Sequence, residues 1–119
     1  MRLLAGEREK VEHMSLSTHV LDAVSGTPAV GVPVTLLDAD HTVLASSATD
    51  DDGRVGRLAE TLAAGVYRLR FDTATYFDAK GVEAFYPEIV IAFEITDPGD
   101  RYHVPVLLSP FAYSTYRGS

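Results

Sequence analysis

Histidine is the side chain best suited to moving a proton near neutral pH, and two of the chain's four histidines stand inside strand-like runs. His19 lies in Ser17-Thr18-His19-Val20-Leu21-Asp22, with Ser17 and Leu21 as its neighbours on one face of an alternating pattern. His103 lies in Tyr102-His103-Val104-Pro105-Val106-Leu107-Leu108-Ser109-Pro110. There Tyr102, Val104, Val106 and Leu108 make the better core face, so His103 points away from the most apolar side. Arg54 follows the acidic turn Asp50-Asp51-Asp52-Gly53. Taken singly, each is ordinary: a lone strand histidine is usually a surface or satisfied core residue, and an arginine after a turn is usually solvated. If they converged, the two imidazoles could share proton transfer, and Arg54 would offer a fork of hydrogen-bond donors beside them.

The segments that must position these residues read as short strands between turns. Leu16, Thr18 and Val20 alternate with Ser17, His19 and Leu21, and Gly26-Thr27-Pro28 reads as a turn. Val30 to Leu37 and Thr42 to Thr49 form further strands, separated by Asp38-Ala39-Asp40. Arg54 to Ala64 reads as a short strand and a loop. From Val66 to Phe71, Tyr67, Leu69 and Phe71 share one face and Arg68 and Arg70 the other. Thr73 to Val82 is the one helical candidate, with Thr73 or Thr75 as its cap. After Pro87, the residues Ile89, Ile91, Phe93 and Ile95 share a face, and Asp97-Pro98-Gly99-Asp100 is a strong turn signal. Tyr102 to Leu108 and Tyr113 to Arg117 complete seven or eight strands. Turns recurring about every ten residues are the rhythm of a sandwich or barrel. Residues 1–13 are polar and aperiodic and read as an extension, leaving one domain over 14–119.

Bulk properties narrow the function. The 119 residues fit one domain, and 46% hydrophobic content supports a core. Such a domain is too small for a deep cavity of its own, so a site belongs in a surface groove or between subunits. A net charge of −7 disfavours nucleic acid and anionic membranes as partners. No apolar run approaches the ~20 residues that span a bilayer. The absence of cysteine excludes disulfides, thiolate zinc sites and a cysteine nucleophile, and with no signal-like N-terminal core it points to the cytoplasm. His13, His19, His41 and His103 lack the close spacing of a built zinc site. The acidic turn lacks a calcium-loop ligand, because Ala48 stands two residues before Asp50.

Four motifs give the sequence a resemblance to the 5-hydroxyisourate hydrolase family of transthyretin-like proteins. They are Ser17-Thr18-His19-Val20-Leu21-Asp22, Asp52-Gly53-Arg54, Tyr102-His103-Val104-Pro105 and the terminal Tyr116-Arg117-Gly118-Ser119. Phe85-Tyr86-Pro87-Glu88 also looks like the family's aromatic-Pro-Glu motif. The resemblance runs from about Ser15 to Ser119. The terminal tetrapeptide is its most specific part, since hormone-binding transthyretins lack it. The N-terminal extension is the one departure.

The resemblance implies an all-β, two-sheet transthyretin-like sandwich with one short helix. It implies a homotetramer with sites where two dimers meet. The implied reaction is hydrolysis of 5-hydroxyisourate to 2-oxo-4-hydroxy-4-carboxy-5-ureidoimidazoline in urate breakdown, with no metal or organic cofactor. His19, Arg54, His103 and Ser119 are the implied catalytic residues, with Tyr116 positioning the substrate ring alongside His19 and Arg54. Two other readings compete. A non-enzymatic transthyretin-like carrier would use the same channel for a small aromatic ligand. An adhesin-type module would explain the turns alone and would be a monomer.

Overall fold

The computed structural model describes residues 15–119; the extension expected over 1–13 lies outside them. Among the described residues, nine strands and one helix follow in order: β1 (Ser15–Asp22), β2 (Thr27–Pro28), β3 (Pro33–Leu37), β4 (Val43–Ala48), β5 (Arg54–Ala59), β6 (Gly65–Phe71), α1 (Thr73–Ala79), β7 (Ile89–Ile95), β8 (Arg101–Ser109) and β9 (Ala112–Thr115). They make two sheets. One runs β2-β1-β8-β9, with β5 also paired to β1; the other runs β4-β3-β6-β7. The inward faces meet in one core that includes Leu16, Val20, Val34, Leu36, Leu69, Phe71, Ile89, Val106 and Leu108.

The period of two decides which residues reach that core. In β1, Leu16, Thr18, Val20 and Asp22 are buried and the residues between them are half-buried. In β8, Tyr102, Val104, Val106 and Leu108 face inward, as expected. The buried Thr18 hydroxyl donates to the Val104 carbonyl at 2.6 Å, so the core keeps a polar group by pairing it. Asp22 is the other buried polar end of β1. Its carboxylate accepts from the Tyr76 hydroxyl on α1 at 2.8 Å and from the amides of Val24 and Ser25. Burial pushes the Asp22 pKa up, but these hydrogen bonds outweigh it and hold the carboxyl below its usual value.

Several local expectations change. Strand β3 begins at Pro33 and not at Val30, because Gly31 takes a left-handed φ of 80° and turns the chain first. Thr27–Pro28, read as turn, pairs with Leu21 and Asp22 as a two-residue strand, which raises the strand number to nine. The helix ends at Ala79 and not at Val82. Its cap is Asp72, whose carboxylate accepts from the Thr75 amide at 3.1 Å. Thr73 turns inward and donates to the Tyr86 carbonyl at 2.7 Å. Strand β9 stops at Thr115, two residues short of Arg117, and the chain beyond it crosses back over β8.

Candidate active site

Three adjacent strands bring the chemistry together. β1 and β8 are parallel, with Ser17 opposite His103 and His19 opposite Pro105. On its other side β1 pairs with antiparallel β5, which sets His19 opposite Arg54. Directly paired residues share a face. His103, Ser17, His19 and Arg54 therefore run across the outer face of one sheet, with the core packed behind them.

Arg54 reaches this row through a close approach. The turn before it is built by Asp50, whose carboxylate accepts from the amides of Asp52 and Arg54, both at 2.9 Å. Those bonds lower the Asp50 pKa and give the acidic run a structural purpose. Gly53 has φ +74°, and a Cβ on it would collide with the Val20 carbonyl oxygen. The Val20 amide instead donates to Gly53 at 2.7 Å, so the turn lies flat on β1 and delivers Arg54 beside His19.

The C-terminal tail closes the other side. The Gly118 amide donates to the His103 carbonyl at 2.8 Å, pinning the tail to β8. A Cβ at Gly118 would run into Cδ2 of the His103 ring and crowd Pro105, so only glycine allows this approach. Arg117 fastens the tail further, with its guanidinium 4.6 Å from the centre of the Tyr102 ring and 3.2 Å from the Arg101 carbonyl. The tail is thus docked on β8.

Two open recesses flank His103 and Ser119. One, of about 260 Å³, is polar and is lined by Ser15, Ser17, Arg54 and Arg101 among others. The second, of about 290 Å³, is lined by His19, Leu21, Leu107 and Tyr116 among others. His103 and Ser119 line both. The fold thus gathers His19, Arg54, His103, Tyr116 and Ser119 into one neighbourhood. In the sequence Ser17 stands as a neighbour of His19 at the head of its motif; in the structure its Oγ lies 2.7 Å from His103 Nδ1. The Phe85–Glu88 motif is elsewhere: Phe85 and Tyr86 stack edge-on, Tyr86 stacks on Tyr113, and the Phe85 amide binds the Pro110 carbonyl. Its work here is to tie the segment after α1 to the β8–β9 hairpin.

Partial burial lowers the His103 pKa, and the Arg54 and His19 charges lower it further. A backbone hydrogen bond with Ser17 pulls the other way without cancelling them. At neutral pH His103 is held in its neutral form, the form that can accept a proton.

The HIUase/Transthyretin family model matches residues 16–118. The chain belongs to that family. Within it, this member is 46% identical to a probable 5-hydroxyisourate hydrolase of Caenorhabditis elegans, over 88% of this chain and 82% of the relative. Its structure is similar to that of Klebsiella pneumoniae 5-hydroxyisourate hydrolase, with a TM-score of 0.83, 39% identity, and coverage of 89% of this chain and 99% of that one. Sea bream transthyretin, solved in complex with thyroxine, is also similar: TM-score 0.82, 34% identity, 87% of this chain and 94% of that one. The family therefore fixes the transthyretin-like sandwich, and the outer-face residues must distinguish a hydrolase from a carrier.

Proposed function

We propose that this protein hydrolyses 5-hydroxyisourate to 2-oxo-4-hydroxy-4-carboxy-5-ureidoimidazoline, as the names of its 46%-identical relatives suggest for them. The observation that carries the reading is the convergence of His19, Arg54 and His103 across three adjacent strands. A carrier for an aromatic ligand has no use for two imidazoles beside a guanidinium.

In the mechanism, His103 is the base and His19 its partner. His103 takes a proton from water as the water oxygen adds to the ring lactam carbonyl. His19 holds or polarises that water. The carbonyl becomes a tetrahedral oxyanion, and Arg54 stabilises it with its N–H donors. When the C–N bond breaks, the proton on His103 passes to the leaving nitrogen. The carbonyl carbon ends as the carboxyl of the product. Ser119 and Tyr116, which line the same recess, position the ring by hydroxyl or carboxylate hydrogen bonds. No metal or organic cofactor enters the scheme.

The working assembly in this reading is a homotetramer with sites where dimers meet. Leu107, Phe111, Tyr113 and Tyr116 support it: all are exposed on β8, β9 and the segments around them, and a second subunit would cover them. The cytoplasm is the compartment the cysteine-free composition favours. Sedimentation should find a tetramer, and a monomer would overturn that part.

The activity is tested by generating 5-hydroxyisourate in place from urate and urate oxidase and following its ultraviolet absorbance. Decay well above the spontaneous rate supports the hydrolase. A folded tetramer that leaves the rate unchanged contradicts it and favours the carrier.

A further inference from the structure

The His103 ring is held on two sides. Ser17 Oγ lies 2.7 Å from Nδ1, and Gly118 packs against the Cδ2 edge. Nε2 has no hydrogen-bond partner among the described residues. The grip comes from the sheet itself, because β1 sets Ser17 opposite His103 in the parallel ladder. A hydroxyl can either donate to Nδ1 or accept from it, and the choice decides what Nε2 can do. If Nδ1 is the acceptor, Nε2 carries the hydrogen and cannot take a proton. If Nδ1 carries the hydrogen, Nε2 presents a lone pair.

We infer that Ser17 is a positioning residue: its Oγ accepts a hydrogen bond from His103 Nδ1–H and so fixes the tautomer whose free Nε2 is the base. This deepens the hydrolase reading and rests on it for the catalytic part. The contact with Ser17 pulls the imidazole pKa upward, as an acceptor on the ring does. The logic is that of a carboxylate or carbonyl orienting a histidine base, here performed by a strand hydroxyl.

The test combines nitrogen-15 NMR of the imidazoles with kinetics. In the wild-type tetramer above the His103 pKa, the His103 signals should report hydrogen on Nδ1 and a bare Nε2. Hydrogen on Nε2 would overturn the inference, whatever the variants do. Ser17→Ala should shift His103 toward a mixture of tautomers, lower kcat about tenfold with KM little changed, and move the acid limb of the pH–rate profile to lower pH. Ser17→Thr, which keeps the hydroxyl, should restore all three. Wild-type tautomer and kcat in folded Ser17→Ala would contradict the role. The NMR result stands even if no hydrolysis of 5-hydroxyisourate is seen, so failure of the activity and failure of the tautomer assignment are separate outcomes.

Discussion

The β1–β8 ladder has two faces that obey opposite rules. Inward, Leu16, Val20, Tyr102, Val104 and Val106 are buried, and the polar residues among them are paired: Thr18 donates its hydroxyl to the Val104 carbonyl and Asp22 accepts from the Tyr76 hydroxyl. Outward, on alternate residues of the same strands, stand Ser17, His19 and His103, half-exposed and opening onto recesses. Among the described residues, no buried side-chain polar atom lacks a hydrogen-bond partner, whereas His103 Nε2 on the outer face has none. Residues one position apart therefore contribute to different quantities, stability on one side and chemistry on the other.

Substitutions should separate the two faces. The largest effect is expected from His103→Ala, which removes the proposed base: kcat should fall about 10²- to 10⁴-fold with the melting temperature nearly unchanged. His19→Ala should cost at least about tenfold by the same assay. Wild-type rates in both would break the comparison. On the inner face, Leu16→Ala should cost about 2–5 kcal/mol in denaturant unfolding, with kcat of the folded fraction retained. Gly118→Ala crosses the divide. It forces the tail off the His103 ring, so activity should drop while the core transition stays put. An unchanged rate would show that the tail does not position the site. The smallest effect is pH-dependent. Because the His103 pKa is lowered, kcat/KM should decline only as pH falls below the ordinary histidine value of 6.5. The same shift makes neutral His103 favour the native state above 6.5, and that contribution is lost as pH falls toward the folded pKa. A decline beginning above pH 7 would contradict the assigned environment.

Much of this was legible in the sequence because alternation is local. The pattern around residues 16–22 and 102–108 states which side chains face inward, and Asp-Gly before Arg54 states a turn. Partnership was not legible. Ser17 and His103 are 86 positions apart, and nothing in either strand says that they run parallel or in which register. The resemblance brought His19, Arg54, His103, Tyr116 and Ser119 together before any geometry did. It gave no role to Ser17, whose only signal was its place two residues before His19 on the same face. Gly118 was part of a motif, but its reason, the ring of His103 against its Cα, exists only in three dimensions. The helix cap was misjudged because Asp72, Thr73 and Thr75 are all plausible caps. Only the buried path from Thr73 to the Tyr86 carbonyl leaves the task to Asp72.

The central claim is that the two histidines act as one unit on the outer face. The most direct test is a double-mutant cycle on 5-hydroxyisourate, measuring kcat/KM for wild type, His19→Ala, His103→Ala and the pair. Groups that work on the same water lose their effect together. The double variant should therefore be little slower than the worse single variant. Losses that multiply in full, as for independent sites, would contradict a shared water and with it the mechanism.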